Sequence, residues 1–83
     1  MKVKVLYFAR LRESLGTSQE WIDTTACNVA GLRRQLMAQS EAHAQALAEG
    51  LALRCALNQH LCDWETPLTP DAEVAFFPPV TGG

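Results

Sequence analysis

No apolar run in this chain approaches the ~18–20 residues that a membrane-spanning helix needs. Basic clusters are missing too: seven Lys and Arg are scattered among nine Asp and Glu, for a net charge of −2. A nucleic-acid binder gathers its cations on one face, so that class is disfavoured. The start, Met1-Lys2-Val3-Lys4-Val5, alternates charge with apolarity and lacks the continuous apolar stretch of a secretory signal. A cytoplasmic protein with no membrane partner is therefore expected. Cysteine is sparse and odd in number. Cys27, Cys55 and Cys62 include no Cys-x-x-Cys spacing, which gives neither a disulfide framework nor a zinc knuckle. They are expected to be buried or half-buried free thiols. Nothing in the chain looks able to bind ATP or a metal, so no cofactor of its own is expected.

What is present is enough for a fold. With 83 residues, 48% of them apolar, the chain is too apolar for disorder and reads as one domain, 1–83. A domain of this size buries only about 60–65% of its unfolded surface, so the core is modest. The most telling stretch is the last: Phe76-Phe77-Pro78-Pro79-Val80-Thr81-Gly82-Gly83. Two aromatic residues close a strand-like run. Two prolines, which have no N–H for a sheet ladder, then stop it. Residues 79–83 become an extended tail, in which Val80 to Gly83 span ~13 Å at roughly 3.3 Å per residue. Gly lacks a side chain, so such a backbone passes through a channel too narrow for other residues. The terminal carboxylate, with a pKa of about 3.5, is ionised and a poor electrophile until a leaving group is attached. A second protein would have to attach it. A bare Gly-Gly is as readily an inert end, and the Phe-Phe-Pro-Pro approach is what argues against that.

Along the chain, Lys2 to Phe8 alternates as a strand, with Val3, Val5 and Tyr7 on one face and Leu6 and Phe8 on the other. Ala9 to Leu15 suits a short helical turn stopped by Gly16, and carries Arg10 and Arg12. Thr17 to Thr24 is a second strand at hairpin distance, with Trp21 at a sheet edge. Asn28 is a plausible N-cap for a helix in which Val29, Leu32, Leu36 and Met37 recur, Arg33 and Arg34 lie on the other side, and the end comes near Gln39 or Ser40. Ser40 to Ala48 reads as a second helical piece before Gly50, with His43 exposed and without a partner. Leu53 to Asn58 and Leu61 to Trp64 form a tight hairpin across Asn58-Gln59-His60. Glu73 to Pro78 is the last strand.

A helix-containing crossover between two strand groups allows the first and last strands to pair in parallel at the sheet centre. The helix packs on one face only, giving a two-layer α+β roll of about five strands. If Val3, Val5, Tyr7, Val74 and Phe76 face that helix, then Leu6, Phe8, Ala75 and Phe77 face away. They would leave an apolar patch beside the tail, the kind of surface that marks a protein partner.

The residues Val5-Leu6-Tyr7-Phe8-Ala9-Arg10-Leu11-Arg12-Glu13, Asn58-Gln59, Pro67-Leu68, and Asp71 through Gly83 carry a resemblance over essentially the whole chain. The sequence resembles the small subunits of molybdopterin synthase, which are ubiquitin-like β-grasp sulfur carriers. The resemblance implies that an E1-like activating enzyme, using ATP and Mg²⁺, adenylates the Gly83 carboxylate. Sulfur from a donor protein then converts it to a thiocarboxylate. The tail, with Gly82, Thr81 and Val80 threading, delivers sulfur from a pocket of the large subunit to a cyclic pyranopterin precursor within a heterotetramer. Catalytic side chains would come from the partner, so this chain is a sulfur-donating subunit and not a catalyst in itself. Phe8 and Phe77 correspond to contact positions, and Arg12 to a basic position used with the activating enzyme. The competing readings are a carrier for thiazole or tRNA thiolation, a ubiquitin-like protein modifier, and a plain binding module with an inert tail.

Overall fold

The computed structural model describes residues 1–79; Val80, Thr81, Gly82 and Gly83 lie outside the described residues. Five strands make one mixed sheet: β1 (Lys2–Tyr7), β2 (Gln19–Asp23), β3 (Arg54–Leu57), β4 (His60–Cys62) and β5 (Glu73–Phe77). Their order is β2-β1-β5-β3-β4. β1 and β5 pair in parallel, with Val5 opposite Val74 and Tyr7 opposite Phe76. The other pairings are antiparallel. The expected α+β roll, with first and last strands paired in parallel inside the sheet, is what the chain forms.

Among the described residues three helices accompany the sheet: α1 (Arg10–Leu15), α2 (Val29–Met37) and α3 (Glu41–Ala46). α2 begins where Asn28 accepts the Gly31 N–H at 2.8 Å, satisfying one of the donors that a helix start leaves free. Ser40 caps α3 likewise, through the His43 N–H. Gly16 ends α1 in the left-handed conformation, at φ 71°, where its N–H reaches the Arg12 carbonyl. Asn58 and Gln59 both have positive φ, 50° and 70°, as a two-residue type I′ hairpin turn requires. The Asn58 side chain also accepts the Glu73 N–H at 2.9 Å, tying the hairpin to the start of β5. Among the described residues no helix is long and apolar enough to cross a membrane.

The core lies between the sheet and the helices. Val3, Val5, Tyr7, Val74 and Phe76 meet Val29, Leu32, Leu36 and Leu47, all at 1% exposure or less. Each such side chain contributes about 1.5–3 kcal/mol of transfer free energy. Tyr7 and Trp64 flank Phe76 with stacked rings.

Several expectations need correction. Arg33 is not on the outer side of α2. It is 6% exposed, lies 4.4 Å over the Trp64 ring, and donates to the Leu47 and Ala48 carbonyls at 2.7 and 2.6 Å. The guanidinium thereby satisfies carbonyls at the end of α3, which helical periodicity in α2 alone does not reveal. His43 is not solvent-exposed and lone, since its ring sits between Glu20 and Ser40. His60 belongs to β4 and not to the turn, although it is exposed as expected. Cys27 is exposed, whereas Cys55 is buried and Cys62 half-buried.

Candidate functional site

Among the described residues the sheet has one face without helices, and its occupants follow from the pairing register. Leu6 lies opposite Ala75, Ala75 opposite Ala56, and Ala56 opposite Leu61, so one apolar row crosses β1, β5, β3 and β4. Phe77 lies opposite Arg54 in the next row, and Phe8 continues β1, donating its N–H to the Phe76 carbonyl at 3.2 Å. Ala56 and Ala75 are buried, yet neither belongs to the core beneath the helices. Phe8 is 44% exposed, and Leu6 and Phe77 are half-buried. The four residues expected to face away from the helix are thus brought together next to the end of β5.

Ala56 and Leu61 enlarge this face beyond the expected set. Leu61 is 73% exposed. The alternation of Leu53, Cys55 and Leu57 already put Ala56 on the opposite side of its strand. What was missing was the β3–β5 pairing, a long-range register that the local pattern does not carry. Trp21, 55% exposed on edge strand β2, lies opposite Lys4 and so points to the same open face.

Ala9, with φ 54° and ψ −131°, turns the chain from β1 into α1 in a region that residues with a Cβ rarely adopt. Phe8 before it stays on the sheet surface, and Arg10 and Arg12 after it are exposed on α1. Arg12 therefore stands as a cation open to solvent, at the place where a partner basic contact was expected. Gly83, Gly82, Thr81 and Val80, the expected covalent site and threading residues, lie outside the described residues. The described chain leads to them through Pro78 and Pro79, directly from the open face. Hollows of about 380 Å³ between α1 and α3 and about 330 Å³ beside Arg33 and Trp64 are on the helical side. Neither includes a residue of the expected site.

On that helical side a polar network fastens α3 to the sheet. Tyr7 donates its hydroxyl to Glu20 Oε2 at 2.6 Å, His43 Nε2 meets the same oxygen at 2.8 Å, and Gln39 donates to Oε1 at 3.1 Å. Burial opposes ionisation of Glu20, but the hydrogen bonds from Tyr7, His43 and Gln39 and the His43 charge outweigh it and hold the carboxyl below its ordinary value. Burial first, then the Glu20 carboxylate, raises the Tyr7 phenol. Because folding lowers the Glu20 value, its stabilisation is present above the ordinary 4.5 and lost as pH falls through the folded-state value. Glu20→Gln is expected to lower the melting temperature near neutral pH and to flatten its fall on acidification below about pH 4.5. Thermal melts of parent and variant across that range check this.

The sequence matches the ThiS family over residues 5–83. It is 47% identical over 81 residues to the molybdopterin synthase sulfur carrier subunit of Escherichia coli (strain K12), covering 98% of this chain and 99% of that protein. A chain in the structure of a complex of subunits 1 and 2 of the molybdopterin-converting factor from Helicobacter pylori 26695 is also similar. That match has a TM-score of 0.69 and 30% identity, and covers 100% of both chains. SAMP1 from Haloferax volcanii superposes with a TM-score of 0.78 over 100% of both chains at 22% identity, a likeness of fold alone. With its β-grasp sheet, the open apolar face beside β5 and a match running through Gly83, the chain belongs to the ThiS family.

Proposed function

We propose that this chain is the sulfur carrier subunit of a molybdopterin synthase. The observation that carries the reading is the open apolar face at the end of the described chain: Leu6, Phe8, Ala75 and Phe77 gather where β5 runs out toward Pro78 and Pro79, and the diglycine follows in sequence after Val80 and Thr81. Similarity to sulfur carrier subunits over nearly the whole chain supports it. In this reading the face docks on a large subunit, and Val80, Thr81 and Gly82 thread Gly83 into that subunit's pocket. A single-sided apolar face with a charged outskirts of Lys4, Arg54 and Glu73 is suited to a specific protein contact.

The chemistry divides between proteins. An activating enzyme of the E1-like kind joins the Gly83 carboxylate to the AMP portion of ATP with Mg²⁺, releasing pyrophosphate. Sulfur from a donor protein displaces AMP and leaves a thiocarboxylate. The acyl adenylate is a reactive mixed anhydride and has to be shielded from water until sulfur arrives. Arg12, exposed on α1, is the cation this chain offers to the activating enzyme. In the synthase, the thiocarboxylate sulfur passes to a cyclic pyranopterin precursor, and water returns Gly83 to a carboxylate.

Intact-mass spectrometry tests the reading directly. Protein incubated with the activating enzyme, ATP, Mg²⁺ and a sulfur donor is expected to gain the difference between one sulfur and one oxygen at Gly83, and to lose it when large subunit and precursor are added. An unchanged mass under loading conditions would exclude a carrier. Covalent conjugates to lysines of other proteins would point to a protein modifier. A gain that thiazole or tRNA thiolation enzymes discharge, and the synthase does not, would assign another client.

A further inference from the structure

Cys55 and Cys62 are seven residues apart in sequence, but the β3–β4 register sets them directly opposite each other. Their sulfurs are 3.5 Å apart, and the Cys55 thiol also points to the Cys62 carbonyl at 3.5 Å. Facing residues of an antiparallel pair have Cα atoms about 4.5–5.5 Å apart. That lies within the ~4.4–6.8 Å over which a disulfide can be closed, and the sulfurs need only approach to about 2.05 Å. The two thiols are unequal. Cys62 is half-buried on β4, the outermost strand, whereas Cys55 is 2% exposed beneath it, opposite Phe76.

We propose that Cys55 and Cys62 form a reversible dithiol–disulfide site, oxidised by low-molecular-weight disulfides and closing as a staple across the β3–β4 hairpin. The order of events follows from exposure. The Cys62 thiolate attacks one sulfur of the small disulfide, forms a mixed disulfide and expels one small thiolate. Cys55 then loses its proton and attacks the Cys62 sulfur, which forms the protein disulfide and expels the second small thiolate. In sum, two protein thiols and one small disulfide give one protein disulfide and two small thiols. Attack begins at Cys62 because burial, then the neighbouring Cys62 thiol, pushes the Cys55 thiol up to about 12. The staple has a use in this fold. β4 carries Leu61, the outlying apolar residue of the open face, on a strand only three residues long at the sheet edge. A crosslink at Cys62 fixes the position of that residue against Ala56.

The test uses the full chain with oxidised glutathione, followed by intact mass, peptide mapping and thermal melts. Expected are the loss of two hydrogens, a Cys55–Cys62 crosslinked peptide, and a melting temperature about 5–15 °C higher, since closing a short loop restricts the unfolded chain. Dithiothreitol reverses all three. Cys62→Ser abolishes the crosslink and the rise, and Cys27→Ser keeps both. Glutathione adducts persisting on Cys62 without loss of two hydrogens, dimers linked through Cys27 in place of the intramolecular bond, or a crosslink that leaves the melting temperature unchanged would each overturn the proposal. Should Cys62→Ser fold poorly, the Cys55→Ala variant supplies the same comparison: it keeps the half-buried Cys62 thiol and stops at the mixed disulfide.

Discussion

Deleting Gly83, or appending one residue after it, is expected to reduce sulfur transfer to background while leaving the melting temperature within about 2–4 °C of the parent. The two halves of this expectation rest on different parts of the molecule. Among the described residues, the buried cluster around Tyr7, Leu36 and Phe76 is closed by elements the last of which ends at Phe77. The chemistry depends entirely on the last residue, because the proposed reactive atom is attached to the backbone carbonyl of Gly83 and no side chain substitutes for a terminal carboxyl group. Displacing that carbon by even one residue, ~3.3 Å, places it beyond hydrogen-bonding and bonding reach of groups that were set to meet it. Synthase assays with separately loaded carrier, run beside thermal melts, check both halves. Retained transfer in the truncated chain would refute the covalent-tail mechanism.

Adjacent phenylalanines supply the second large effect, and they are expected to behave in opposite ways. Phe77→Asp should weaken binding to the large subunit by about 30-fold or more while costing little stability. The side chain is half-buried on the open face, and truncated interface anchors commonly lose 2 kcal/mol or more, about 1.4 kcal/mol being tenfold. Phe76 is fully buried between Tyr7 and Trp64. Phe76→Ala should cost about 3–5 kcal/mol, a large part of the 5–15 kcal/mol that small domains have. Calorimetric titration against the large subunit, with melts of both variants, separates the two. A collapse of the melting temperature in Phe77→Asp would mean that the face assignment is wrong.

The contrast between these neighbours is legible in the sequence, because a period of two decides which side of a strand each residue occupies. Val3, Val5 and Tyr7 could be assigned to the core on the same ground, and Asn28, Gly16 and Asn58-Gln59 announced a cap, a stop and a turn through local chemistry. What was hidden depended on groups distant in sequence. Arg33 looked like an outer helix residue until the Leu47 and Ala48 carbonyls came to it. His43 appeared lone because its partner Glu20 is 23 residues away. Cys55 and Cys62 matched no spacing rule, since a hairpin register and not a motif brings them together. The open face was anticipated in its Leu6, Phe8, Ala75 and Phe77 portion, which needs only the β1–β5 neighbourhood. Its Ala56 and Leu61 portion needed two further pairings.

The strand order also has a consequence for how the molecule is born. Before β5 is made, the chain can build only two separate ribbons, β1 with β2 and β3 with β4, which share no hydrogen bonds with one another. The middle of the sheet is filled by the strand that leaves the ribosome after all the others. Until it slots between β1 and β3, both inner edges and the apolar floor meant for α2 stay open to other nascent chains. Insertion of β5 is therefore the keystone step of assembly, because it joins two ribbons that are otherwise unconnected in the sheet.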